Sequence, residues 1–225
     1  MVLGPGPEFE RFFFSLDLGF KRFKEITVLN PYADEHIKQL TGKFIRHYYR
    51  SASARVLVLG INPGRKGGGI TGIPFTDPVA LSEICGINNN LKQERELSST
   101  FIYEMINTFG GPDFFYDNVL LSAVSPLGFV KNDKNSNYYD EPDLLKKVTG
   151  FIQNAFRFHS ELNVTRDAVI SLGKENGEFV SVMNEKLKLF KKVIVLEHPR
   201  YIMQYKRKQM KGYCDKYIRI ISSFL

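Results

Sequence analysis

Apolar residues recur along this chain with two different periods, and the change comes just after residue 50. Phe9, Phe12, Phe13 and Leu16 fall at helical spacing, and Ile37, Leu40, Phe44 and Tyr48 repeat it after Pro31. That spacing predicts amphipathic helices through the first 50 residues, with their aromatics used for packing. Four short continuous apolar runs follow: Arg55 to Asn62, Asn118 to Ser125, Asp167 to Gly173 and Lys192 to His198. Runs of this kind predict strands buried on both faces. Helical patterns at 97–109, 142–158 and 174–187 separate them, and a last one covers 213–224. The alternation predicts an α/β fold, a three-layer sandwich with a central four-stranded, mostly parallel sheet flanked by helices. The segment Gly128 to Tyr139, rich in Asn, Lys and Tyr, reads as an exposed loop. With no internal repeat and no flexible linker, a single domain over 1–225 is expected. It divides into N-terminal helices (1–50), a motif-bearing core (55–211) and a C-terminal helix (212–225).

Sheets of this class bind ligands beyond the carboxyl ends of their strands. That rule selects Asn62-Pro-Gly64, Ser122 to Pro126, Gly173-Lys174 and His198-Pro-Arg200 before any motif is sought.

Composition narrows the chemistry. At 43% hydrophobic and 24% charged the chain has the apolar surface to close a core. Two cysteines, Cys85 and Cys214, are too few for a disulfide scaffold, a four-thiolate zinc site or a fully cysteine-ligated iron–sulfur cluster. They read as reduced, inert thiols. No apolar run approaches the ~20 residues that cross a bilayer. The stretch from Phe12 to Phe20 is broken by Ser15, Asp17 and Gly19 and lacks the marks of a secretory leader. A cytoplasmic protein, in a bacterial cytosol, is expected.

The net charge of +7 is unevenly spread. Lys186, Lys188, Lys191, Lys192, Arg200, Lys206, Arg207, Lys208 and Lys211 are opposed by one acid in that window, Glu197. The rest of the chain is close to neutral. One stretch therefore carries the whole excess, as a phosphate-facing surface or a lysine-rich helix face would.

Between Gly60 and Phe75 lies a glycine-rich segment containing Pro63 and Pro74. Glycine lets backbone approach a ligand closely and presents N–H groups to anions. No Gly-Lys-Ser/Thr follows, so it is not a nucleotide-hydrolase loop. The prolines stand where a dinucleotide fingerprint needs its helix to start, and they stiffen both ends of the segment. His198-Pro-Arg200 ends the fourth run, with Pro199 placed to open a helix. No other His or Cys stands at ligand spacing from His198, so no metal and no cofactor are expected. Nothing resembles a paired-carboxylate sugar hydrolase or a serine nucleophile elbow.

Two motifs then carry a resemblance. Gly60-Ile-Asn-Pro-Gly64 followed by Thr71-Gly-Ile-Pro-Phe75 is similar to the Gly-Met-Asn-Pro-Gly and Thr-Gly-Val-Pro-Phe of the single-strand-selective monofunctional uracil-DNA glycosylases. These are a branch of the uracil-DNA glycosylase superfamily. His198-Pro-Arg200 resembles that family's His-Pro-Ser, and the run from Asn118 to Ser125 resembles its strand ending in a base-reading Asn. The resemblance covers roughly 55–211. It implies that Asn62 orients the attacking water and His198 stabilises charge on the departing base. Gly60, Ile61 and Gly64 would line the base, with Gly64 beside the C5 edge of a pyrimidine, and Phe75 would stack on it. The segment Arg200 to Lys208 would wedge into DNA. Tyr201, Ile202 or Met203 would fill the gap left by a flipped base, and Lys206, Arg207, Lys208 and Lys211 would hold phosphates.

The chain also departs from the pattern. The reading Asn is replaced by Ser122 or, one register on, by Ala123. The stretch after Gly64 adds Arg65 and Lys66, and His-Pro-Arg lacks the second proline. The implied activity is a monofunctional, cofactor-free base-excision enzyme acting as a monomer on single- or double-stranded DNA. Its base would be uracil, a 5-substituted uracil, xanthine or hypoxanthine. Two other readings stay open: a DNA-binding module on the same fold that has lost catalysis, and a small-molecule enzyme acting on a nucleoside or nucleotide.

Overall fold

The computed structural model describes residues 4–225. Its centre is a four-stranded sheet in the order β4-β3-β7-β8, formed by β3 (Arg55–Gly60), β4 (Val119–Ala123), β7 (Val164–Leu172) and β8 (Val193–Leu196). Every pairing in it is parallel. All residues of β3 and β4 are buried, as continuous apolar runs require when helices cover both faces. The strand order reverses at β3: β4 lies on one side of it, and the chain then crosses to place β7 on the other. That reversal opens a crevice at the carboxyl end of β3.

The helices are α1 (Gly6–Phe14), α2 (Glu35–Tyr48), α3 (Gly68–Thr71), α4 (Pro78–Glu83), α5 (Leu97–Phe109), α6 (Pro112–Asn118), α7 (Pro142–Glu161), α8 (Lys174–Leu187), α9 (Pro199–Tyr205) and α10 (Met210–Ser222). Their starts follow local chemistry. Asp34 caps α2 by accepting from the His36 N–H at 2.8 Å, and Asp77 caps α4 by accepting from Ala80 at 2.8 Å. Proline opens α4, α6, α7 and α9, where its missing N–H costs no helix bond.

Two expectations need correction. Gly128 to Tyr139 is not an exposed loop. It contains β5 (Gly128–Lys131) and β6 (Lys134–Ser136), which form a second sheet with β1 (Arg22–Phe23) and β2 (Ile26–Leu29) in the order β1-β2-β5-β6. Phe129 and Tyr138 are wholly buried. The partner strands are β1 and β2, so the first 50 residues are not helical throughout either. This sheet is antiparallel, and β2 pairs with β5 across about a hundred residues of sequence. A pairing at that range leaves no local periodicity. The hairpin turn did leave a signal: Asn132 and Asp133 both have positive φ, at 48° and 56°, the geometry of a two-residue turn that favours Asn and Asp.

Candidate active site

The sequence rule that ligands bind at strand carboxyl ends leads to one cavity of about 210 Å³ at the end of β3. Asn62, Phe75 and His198 all line it, together with Gly60, Ile61, Gly64 and Ala123. Residues from three separated segments therefore converge on one space.

Phe75 sits there under constraint. It holds φ at +55°, an unusual conformation for an aromatic residue. Its ring lies so close to Gly60 that a Cβ on Gly60 would fall 2.5 Å from it. Glycine at position 60 is what leaves room for the ring at the end of β3. The ring centroid stands 6.0 Å from that of His198, at 43°.

His198 is fixed by its own backbone role. It caps α9, with Nδ1 accepting from the Arg200 N–H at 3.1 Å. An accepting Nδ1 carries no proton, so the neutral ring holds its proton on Nε2. Burial, reinforced by the nearby Arg200 cation, lowers its pKa to about 4. At neutral pH the cavity is thus offered an uncharged imidazole with one N–H to donate.

Asn62 is oriented from the second sheet. Its Nδ2 donates to the Ser136 carbonyl at 3.1 Å, and its Oδ1 accepts from the Tyr138 N–H at 3.1 Å. The hairpin is anchored in turn. Tyr138 Oη donates to Asn176 Oδ1 at 2.8 Å, and Asn176 Nδ2 donates to the Gly60 carbonyl at 3.2 Å and to Ser171 Oγ at 2.9 Å. One oxygen lone pair and one N–H of Asn62 remain for a ligand. Several backbone N–H groups of the glycine segment are already engaged: those of Gly67 and Gly69 donate to the Gly64 carbonyl, and that of Arg65 donates to Asn135 Oδ1 of the second sheet at 3.0 Å.

The register at the end of β4 is resolved. Gly60 pairs with Ala123, and Ala123 lines the cavity. Ser122 is fully buried and its Oγ bonds His159 Nε2 at 2.8 Å, so the expectation that it reads a base is corrected. Strand alternation is the reason, since neighbouring side chains point to opposite faces. At position 123 the cavity meets a methyl group.

The proposed DNA-facing residues divide. Arg200 lines the cavity and is exposed, and Tyr201 is 44% exposed. Met203 is buried at 5%, and Ile202 is wholly buried, because both lie on the core face of α9, so neither can wedge into a duplex. Tyr205, 71% exposed, stands 5.4 Å from Tyr201 one turn on and was not foreseen. Arg207 and Lys208 are exposed and Lys206 is half-buried; among the described residues no ion pair takes any of the three. Lys211 pairs with Asp215 at 3.3 Å, and Lys191 with Asp167 at 2.7 Å. Glu96, Ser98, Asn135 and Asn137 also line the cavity, and sequence reasoning missed them. Glu96 precedes α5, Ser98 lies in its first turn, and Asn135 and Asn137 belong to the segment read as a loop. Among the described residues no cluster of His, Cys, Asp and Glu could hold a metal ion, and no helix is long and apolar enough to cross a membrane.

A parallel sheet whose carboxyl-end cavity joins a Gly-x-Asn-Pro-Gly turn to a His-Pro helix cap defines a class. The chain matches the Uracil DNA glycosylase superfamily over residues 47–221 and belongs to it. It is similar throughout to the crystal structure of wild-type Pedobacter heparinus SMUG2, with 38% identity and a TM-score of 0.93. That likeness covers 99% of this chain and 98% of the other. No curated protein matches.

Proposed function

We propose that this protein is a monofunctional DNA glycosylase of base excision repair. It takes a damaged or deaminated base out of the helix and hydrolyses its N-glycosidic bond. The observation that carries this reading is the convergence of Asn62, Phe75 and His198 on one cavity, in a chain of this superfamily.

A base within a duplex cannot be attacked at its sugar carbon, so the nucleotide is extruded or already unpaired. Phe75 stacks on it, worth roughly 1–3 kcal/mol per base. The glycosidic bond breaks with its electrons leaving on the base. His198 Nε2–H donates to the base oxygen where that charge builds. Asn62 cannot take a proton from water, but its remaining lone pair aims the water at the sugar carbon. No lysine lines the cavity among the described residues, which fits hydrolysis without a Schiff base or strand cleavage. Arg200, Lys206, Arg207, Lys208 and Lys211 hold phosphates, and Tyr201 fills the gap in the stack.

Ala123 offers no carboxamide to the base edge, so readout is broader than strict uracil selection. The substrates extend to 5-substituted uracils and to xanthine or hypoxanthine. An excision screen over uracil, 5-hydroxymethyluracil, hypoxanthine and xanthine, in single- and double-stranded DNA, tests this. Release of at least two of these bases is expected. Release of none overturns the proposal, and release of uracil alone overturns the broad readout.

A further inference from the structure

The cavity contains a carboxyl group that the proposed chemistry leaves unused. Among its lining residues Glu96 is the single carboxyl group. Its main chain is held firmly: the Glu96 N–H donates to the buried Asp77 Oδ2 at 2.8 Å, and its carbonyl accepts from Thr100 N at 2.9 Å as α5 begins. Its side chain makes no ion pair among the described residues, although Glu94 two positions earlier pairs with Lys66 and Lys92. The glycines of the loop leave it room. A Cβ on Gly67 would lie 2.8 Å from Glu96 Oε2, and one on Gly64 would lie 4.0 Å from Oε1. The carboxyl therefore faces the glycine segment that also carries Asn62, in a cavity of about 210 Å³.

Asn62 can orient water but cannot accept its proton. Building on the glycosylase reading, we propose that Glu96 is a further catalytic residue, the carboxylate that accepts the proton of the attacking water. In that step one water O–H bond breaks and its proton passes to Glu96. The water oxygen bonds to the sugar C1′, and the C1′–N bond breaks with its electron pair leaving on the base. The proton on Glu96 then passes to the departing base or to solvent, which restores the carboxylate.

Burial raises the carboxyl above its ordinary range, and Ser98 and Arg200 draw it partly back. Asp77 behind it raises it further. Across the open cleft that continues from the cavity stand Arg65, Lys66, Arg95, Asp133 and Lys134. Three of those cations are already engaged, Arg65 with Asp133, Lys66 with Glu94 and Arg95 with Glu83. His198, lowered to about 4, is neutral above that pH.

The test is single-turnover excision from pH 4 to 9 by wild type, Glu96→Gln and Glu96→Asp, on the base the wild type removes best. Binding to an uncleavable duplex is measured in parallel. Wild type should show a rate that climbs with pH as one carboxyl ionises and then levels. Glu96→Gln should be slower by about 10²-fold at the plateau and should lose that climb, with binding within about threefold, while Glu96→Asp keeps it. A Glu96→Gln rate within threefold of wild type, an unchanged acid limb, or a rate loss matched by lost binding overturns the assignment. Failure of wild type to excise any base overturns the glycosylase reading itself.

Discussion

The two sheets of this molecule do different work for one cavity. The parallel sheet brings three residues to the cavity from the carboxyl ends of its strands: Asn62 after β3, Ala123 at the end of β4 and His198 after β8. The antiparallel sheet contributes Asn135 and Asn137 to the wall, and its hairpin backbone grips both ends of the Asn62 amide. On the proposed reading, one sheet supplies the chemistry and the other sets its aim. A carboxamide on a loop has free rotation about its side-chain bonds. Here two backbone bonds from a distant segment remove that freedom before substrate arrives, which is preorganisation in its plainest form.

The largest expected effect falls on the parallel sheet's groups. Asn62→Ala and His198→Ala should each slow single-turnover excision by on the order of 10²-fold or more, with DNA affinity preserved. Near-wild-type rates in both folded variants would break the division of labour at its root.

Affinity should depend on a third surface instead. Neutralising Lys206, Arg207 and Lys208 together should make the slope of log affinity against log salt shallower by about 2–3 units on duplex DNA. An unchanged slope returns these three to ordinary solvated surface.

Specificity should respond at position 123 and not at 122. Ala123→Asn restores a fixed donor–acceptor pair, worth roughly 1–3 kcal/mol of base discrimination, and should shift the excision ratio toward uracil about tenfold or more. Ser122→Ala removes a buried bond to His159 and should lower stability by about 1–2 kcal/mol while leaving that ratio unmoved. A ratio that moves with Ser122 and not with Ala123 would reverse the placement of the reader.

The last effect concerns acid and leaves the site's chemistry untouched. Burial lowers the pKa of His159 to about 3, against 6.5 for a free imidazole. Between those values the unfolded chain binds a proton that the folded chain refuses, so stability falls as pH falls across that window and is fully present only above it. Unfolding free energies at pH 4.5 and 7 should differ more in wild type than in His159→Gln. Equal differences would show that acid sensitivity lies elsewhere.

The parallel sheet was legible because each strand contains a continuous apolar run, although β7 begins earlier than its run, with Arg166 and Asp167 exposed, and each candidate turn follows a strand directly. The structure brings together Asn62 and His198, which strand-end position and motif had both singled out. The antiparallel sheet was not legible because β2 and β5 meet across about a hundred residues and carry only short runs. The Asn132-Asp133 turn was its readable trace. Glu96 escaped notice because an acid just before a helix ordinarily reads as a favourable first-turn charge, and nothing local shows that its side chain faces a glycine loop thirty residues upstream. The buried Tyr138–Asn176 bond is silent in sequence for the same reason: its two residues lie on separate elements. The choice between Ser122 and Ala123 needed the register of β4 against β3.

One measurement bears most directly on the central claim: quantifying free base and strand integrity after wild-type protein acts on an oligonucleotide carrying one damaged base. The account predicts one equivalent of free base per abasic site formed, with the strand unbroken until alkali is added. Tight binding with no base released, or strand scission accompanying release, would contradict it.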